Sequence, residues 1–320
     1  MKPLNIIIAG GGTMGTSLVQ IFSQNAFPVT LYSRRRETLE RAKDRIAINQ
    51  KALVQQNILS GDESEALVRR ISFSDDKACF ADADLVIENI TEDMEAKKRF
   101  WQEISRLVPE TAVLATNTSG LSITEMSGAV HLPERFAGMH WFNPPHIVQL
   151  IEVTKGEQTS DATADFIMEL SKAVGKKPIK VQKDIPGFIA NRLQYALLRE
   201  AAHLVEEGAA SMEEVDLACS LVIGMRYACL GPFRVVDMGG VDIFNSVSNY
   251  LFADLCDDKD GSRLMQQLVA EGKLGVKSGE GFYPYRPEEI PELIQERDTR
   301  YIQMVQCMDS FEKKPADKEH

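Results

Sequence analysis

The stretch LNIIIAGGGTMGTSL, Leu4 to Leu18, restricts the fold more than any other part of the chain. An apolar run ends in Gly10, Gly12 and Gly15 in GxGxxG order, and a helical pattern begins at Thr13. A run that is apolar at every position is buried on both faces, which places it inside a parallel sheet covered by helices. In that setting each glycine has a task. The first permits the tight turn, the second lets the backbone approach a pyrophosphate, and the third packs helix against strand. The helix N-terminus then stabilises the phosphate charge. An ordinary glycine turn needs no ligand. The strand before it and the helix after it make Gly10, Gly12, Thr13, Met14 and Gly15 candidate contacts of a dinucleotide.

The first half of the chain continues this alternation. Thr13 to Gln24 is helical in pattern and PVTLYS is a strand. Glu37 to Gln56 reads as a long charged helix and DESEALVRRI as a shorter one. ADLVIENI, a helix from Glu95 to Leu107, TAVLATN and RFAGMHWF follow, and VQLIEVTKG and KPIKVQ close the region as two more strands. The rhythm predicts an α/β fold with a parallel, doubly wound Rossmann-type sheet. From KDIPGFIANRLQYALLREAAHLVEEG onward strand signals stop, and Leu193, Ala196, Leu197, Ala201, Leu204 and Val205 recur at helical steps. The expectation is a dinucleotide-binding domain over 1–184 and an all-helical substrate and dimerisation domain over 185–320. EKKPADKEH at the end reads as a frayed polar tail.

The end of the second strand carries an unusual composition. An acidic residue is expected there, to accept hydrogen bonds from the ribose hydroxyls of NAD. This chain has Ser33, followed by Arg34, Arg35 and Arg36. A carboxylate would repel a 2′-phosphate by about 4 kcal/mol at contact in a surface-like dielectric. Serine removes that repulsion, and arginines can grip the phosphate. The bland alternative is a solvated basic helix start with Glu37 and Glu40 as partners. Arginines at a helix N-terminus oppose the macrodipole, so three together are easier to explain with an anion bound. The pattern favours NADP(H) over NAD(H), with Ser33, Arg34 and Arg35 as contacts.

The net charge of −11 and pI of about 5.1 argue against nucleic acid or an anionic membrane as the main partner. The five cysteines show no CxxC spacing, which fits reduced thiols in a cytoplasmic protein and gives no metal site. No apolar run approaches membrane-spanning length. The short N-terminal apolar run is read as the first strand rather than a signal peptide.

GMHWFNPPHIVQLIEV places His140 at a strand end and Glu152 on the next strand, with Asn143 between them. A carboxylate in an apolar strand needs a partner. A His–Glu pair suits hydride chemistry, because the imidazole exchanges the hydroxyl proton and the carboxylate orients it. Pattern alone does not choose His140 over His131, His146 or His203.

The motifs AGGGTMG, TEDMEAK, ATNTSGLSIT, FAGMHWFNPP, QLIEV, IPGFIANRL, EEG and GKLGVKSGEGFYPY together resemble the 3-hydroxyacyl-CoA dehydrogenase family over nearly the whole chain. The resemblance implies His140 as the acid/base residue and Glu152 as its orienting partner. Ser119 and Asn191 would hydrogen-bond substrate oxygens. Glu92, Lys97, Asn117, Asn143 and Lys277 would contact the coenzyme. It also implies a homodimer through the helical domain and a substrate cleft between domains. In that picture His140 takes the proton of the 3-hydroxyl while hydride leaves C3 for the nicotinamide.

Three departures bear on the substrate. Ser33 replaces the family's aspartate. The family's CoA-contacting serine and lysine align near Asn49 and Gln56. VIGMRYACLGPF resembles the lambda-crystallin (L-gulonate 3-dehydrogenase) branch, whose relatives, with the L-carnitine dehydrogenases, oxidise free 3-hydroxy acids. The first expectation is interconversion of 3-hydroxyacyl-CoA and 3-oxoacyl-CoA. The second is oxidation of a free 3-hydroxy acid whose carboxylate pairs with Arg226. A third is a crystallin-like structural protein, against which the intact His140 and Glu152 speak.

Overall fold

The computed structural model describes residues 4–55 and 58–312. Gln56 and the polar tail lie outside the described residues. The chain forms two compact units that divide between Arg192 and Leu193.

The first unit runs β1 (Ile6–Ala9), α1 (Thr13–Gln24), β2 (Val29–Tyr32), α2 (Arg36–Gln55), α3 (Gly61–Arg69), β3 (Ile71–Ser74), β4 (Leu85–Glu88), α4 (Met94–Ile104), β5 (Val113–Thr116), α5 (Ile123–Ser127), β6 (Phe136–Trp141), β7 (Leu150–Thr154), α6 (Asp161–Ala173), β8 (Lys177–Val181) and the start of α7 (Ala190–Glu206). The strands form one sheet in the order β3-β2-β1-β4-β5-β6-β7-β8. Alternate residues of β1 supply opposite layers: Ile6 and Ile8 pack with Leu31 and Ile87, whereas Ile7 and Ala9 pack with Val86 and Leu114. Helices cover both faces, so the run III is apolar at each position.

Three features differ from the sequence expectation. Ile71 opens the edge strand β3 instead of ending a helix. Arg70 caps α3, and the short alternating ISFS pairs with β2. The helix α4 stops at Ile104 rather than Leu107, with Ser105 as its cap. The sheet is mixed, because β7 runs antiparallel to β6 while every other pair is parallel. The link 142–149 is too short for the crossover that a parallel return requires.

The second unit continues α7 and adds α8 (Met212–Ala218), a π-helical turn (Cys219–Gly224), α9 (Met225–Cys229), α10 (Pro232–Gly239), α11 (Val241–Leu251), α12 (Arg263–Ala270) and α13 (Ile290–Glu312). Ala202 is the one buried residue among its described residues. Phe233, Met238 and Phe252 are 85%, 80% and 72% exposed. Among the described residues no single helix is long and apolar enough to cross a membrane.

Candidate active site

The strand order places the switch point between β1 and β4, where ligands of such sheets bind beyond the carboxyl ends of the strands. Gly10 stands there with φ +120°, and a Cβ on it would lie 2.4 Å from the Asn89 carbonyl oxygen. A Cβ on Gly15 would lie 1.9 Å from the Gly10 carbonyl oxygen. These two contacts are why the turn closes only with glycine. Gly12 precedes α1 and offers no capping side chain, and a Cβ there would meet nothing within 4 Å. The first-turn N–H groups of α1 are therefore open to an anion. This cradle fits a dinucleotide.

Ser33 follows β2, and its backbone N–H donates to the Ser74 carbonyl. Its hydroxyl accepts the Arg35 N–H at 3.4 Å. Arg34 and Arg35 are exposed and make no ion pair among the described residues. The arginines do not pair with Glu37 or Glu40. Arg36 pairs with Asp75 at 3.3 Å, and Glu40 pairs with Lys43.

Beyond β4 and β5 lies a connected polar network. Glu88, the last residue of β4, is fully buried and accepts from Lys97 Nζ at 2.6 Å, Thr116 Oγ1 at 2.7 Å and the Ile90 N–H at 2.7 Å. Burial pushes its carboxyl above the ordinary value, and Lys97 and the two hydrogen bonds offset this only in part. Lys97 also approaches Glu92 Oε2 at 3.4 Å. The expected coenzyme contact Lys97 is thus 0% exposed and stands behind Glu92. Glu92, itself exposed, accepts from Thr118 Oγ1 and the Ser119 N–H at 2.6 and 2.7 Å. Asn117 donates to Asn89 Oδ1 and accepts the Trp141 N–H, both at 2.7 Å, and so ties β5 to β6.

At the other end of the network Asn191 Nδ2 donates to the Ser119 carbonyl at 2.7 Å across 72 residues of sequence. The two residues expected to bind substrate oxygens therefore meet. The Ser119 hydroxyl has no partner among the described residues. Its neighbour Ala190 opens α7, and the N–H groups of Ala190 and Ile189 donate to Glu152 Oε1 at 2.8 and 2.9 Å. Glu152 faces His140 directly across the antiparallel β6–β7 pair, and its Oε2 lies 2.8 Å from His140 Nδ1. Burial raises the Glu152 carboxyl, but the bonds from His140, Ala190 and Ile189 outweigh it and leave the group below its ordinary range. An ionised carboxylate only accepts, so Nδ1 carries a proton, and in the neutral imidazole the lone pair is then on Nε2. Both residues are nearly inaccessible, His140 at 3% and Glu152 at 0%. The imidazole sits against Phe142 at 4.2 Å and Phe188 at 5.7 Å between ring centres.

The sequence reading missed Glu88, Phe142, Phe188 and the α7 N-terminus as the second holder of Glu152. The signal for the last was present in IPGFIANR, where Gly187 and Phe188 take φ +74° and +52° and turn the chain into α7. Asn143 is exposed and precedes a cis peptide bond to Pro144. Asn49 is exposed on α2. Arg226 on α9 and Lys277 in the turn after Gly275 are exposed within the helical unit.

Residues 5–185 match the model of the 3-hydroxyacyl-CoA dehydrogenase NAD-binding domain, and residues 187–285 match that of the family's C-terminal domain. A 5-formyl-3-hydroxy-2-methylpyridine 4-carboxylate 5-dehydrogenase of Mesorhizobium japonicum is 37% identical over 309 residues, 96% of this chain and 99% of the relative. A 3-hydroxybutyryl-CoA dehydrogenase of Clostridioides difficile is 34% identical over 283 residues, 88% of this chain and 99% of the relative. Among solved structures, a 5-formyl-3-hydroxy-2-methylpyridine 4-carboxylic acid 5-dehydrogenase, described as an NAD+-dependent dismutase, superposes with a TM-score of 0.87 at 36% identity, covering 95% of this chain and 98% of that one. Two consecutive domain matches and relatives of this extent show that the chain belongs to the 3-hydroxyacyl-CoA dehydrogenase family and is an oxidoreductase.

Proposed function

We propose that this oxidoreductase acts on a small free carboxylate bearing a hydroxyl or carbonyl group, with His140 as general acid/base. The observation that carries the reading is the likeness to a pyridine-carboxylate dehydrogenase, which continues past residue 285, where the family's C-terminal domain match ends. Helix α13 lies in that extension. The pyridine-carboxylate dehydrogenase aligns over 96% of this chain and the 3-hydroxybutyryl-CoA dehydrogenase over 88%. Of the two positions expected to contact CoA, Asn49 can still hydrogen-bond a CoA group as a substrate-binding residue, but Gln56 has lost the lysine's charge. Acyl-CoA is the second reading, supported by the two family matches and by GVKSGEGFYPY.

When bound, the nicotinamide supplies or accepts the hydride. The chain's own residues handle the proton. Glu152 holds Nδ1–H, and Nε2 of His140 takes the hydroxyl proton in oxidation and returns it in reduction. The α7 N-terminus keeps Glu152 ionised, which favours the imidazolium that forms. Glu92 and Asn191 fix the Ser119 loop and leave its hydroxyl available to a substrate oxygen.

Arg226 is the candidate for the substrate carboxylate. Arg226→Met is expected to weaken binding of a free hydroxy acid by about 10- to 100-fold, with coenzyme affinity unchanged. Steady-state kinetics with free 3-hydroxy acids, pyridine carboxaldehydes and acetoacetyl-CoA tests both readings. Efficient turnover of acetoacetyl-CoA alone, untouched by the substitution, would sink the free-acid reading.

NADP(H) is the coenzyme this reading prefers. Support comes from Ser33 in place of a carboxylate and from Arg34 and Arg35, which are exposed and make no ion pair among the described residues. NAD(H) is the alternative, since a relative in the family is an NAD+-dependent dismutase. Fluorescence titration should give tighter binding of NADPH than of NADH by roughly tenfold. Equal affinities, or tighter NADH, would reduce the arginines to surface charge.

The reading includes a homodimer. A helical unit with Phe233, Met238 and Phe252 this exposed presents the apolar surface typical of homodimer interfaces. A monomer in sedimentation equilibrium at micromolar concentration would remove it.

A further inference from the structure

Arg45 stands on α2 with its Nη1 donating to Thr13 Oγ1 at 3.1 Å. Thr13 is the first residue of α1, which has no side-chain cap and no acidic residue in its first turn. Arg45 is exposed and makes no ion pair with any described carboxylate. A full positive charge is therefore tethered to the positive end of a helix dipole, an unfavourable pairing unless an anion lies between them.

We propose that Arg45 is a second clamp on the coenzyme's diphosphate, reaching from α2 across the glycine cradle. Thr13 anchors one N–H of the guanidinium, and the remaining donors of the planar fork face an acceptor. The same corner is tight: a Cβ on Gly11 would lie 2.9 Å from Thr38 Cγ2 and 3.8 Å from Ser33 Cβ, so α2 starts directly against the turn. Arg45 is distinct from the arginines after β2. Nine residues of helix separate it from Arg36, about 13 Å along the axis. Arg34 and Arg35 thus address the ribose end, whereas Arg45 addresses the phosphates nearest α1.

The inference rests on the chain binding a nicotinamide dinucleotide, and not on which one. The diphosphate is common to NADH and NADPH, so Arg45→Met should weaken both by the same factor, about tenfold. Arg45→Lys should recover part of the loss, and the salt dependence of binding should become shallower in R45M. The readout is the dissociation constant from fluorescence titration, with thermal melting of the ligand-free variants as the check on folding. Unchanged affinity for both coenzymes would overturn the assignment. A loss confined to NADPH would overturn it as well, and would move Arg45 to the 2′-phosphate while leaving the NADP(H) reading in place.

Discussion

His140→Ala is expected to lower kcat/KM by about 10²- to 10⁴-fold while leaving coenzyme affinity unchanged. The imidazole is the one basic group that the antiparallel pair brings to Glu152, and its Nε2 has no other task in the described structure. Removing it leaves the glycine cradle, Glu92 and Asn117 in place, so titration with NADH or NADPH should match the parent protein. Full turnover by the variant would eliminate His140 as the acid/base residue. Glu152→Gln separates orientation from proton transfer. The amide can donate to Nδ1, which moves the ring proton to Nε2 and removes the base. The variant should therefore lose turnover almost as fully as His140→Ala, although both side chains retain their size. The pH dependence has a defined sign. Glu152 is held below its ordinary range, so its contribution to stability is complete above the unfolded carboxylate value. That contribution is lost as pH falls through the lowered native value.

Lys97→Met should destabilise the first unit by about 3–5 kcal/mol, because it leaves the Glu88 carboxylate buried without its cation. Both residues are 0% exposed, so no water can replace the ammonium without opening α4. Urea unfolding reads the loss directly. Burial already raises the Glu88 carboxyl, and without Lys97 it rises further. The penalty should therefore shrink as pH falls and the carboxylate takes a proton. Glu88→Gln in the same chain should recover part of it at neutral pH. A variant as stable as the parent at pH 8 would mean that Glu88 and Lys97 do not form the pair. The same substitution tests the placement of Lys97 behind Glu92: coenzyme binding should weaken through the loosened Glu92 and Ser119 segment rather than by loss of a direct contact.

The legible parts of this protein are those written in short range. An apolar run, three glycines at fixed offsets and a helical period name a strand, a turn and a helix without reference to anything distant. That local code specified the Rossmann-type half, the helical half and the cradle between β1 and α1. The pairing of His140 with Glu152 was nearly as accessible, because the two lie on consecutive strands with a short link. Family motifs, rather than periodicity, singled out His140 among the histidines.

Long-range partners were not legible. Asn191 meets Ser119 across 72 residues, and Glu152 meets the N–H groups of α7 across 37 and 38. Periodicity reports whether a side chain is buried, and says nothing about which distant group it is buried against. For the same reason the buried pairing of Lys97 with Glu88 was not legible. A lysine in a charged helix looks solvated until the sheet brings Glu88 beneath it. The edge strand β3 was hidden because four residues carry too little pattern to outweigh the helix before them. The amino-acid sequence by itself determined the fold class and the chemical kinds of residue at the two ends of the site, since both depend on local burial and backbone sterics. Only the tertiary structure decided the partner of each charge, the antiparallel turn of β7 and the reach of Arg45 to Thr13, because those depend on the order in which the strands assemble.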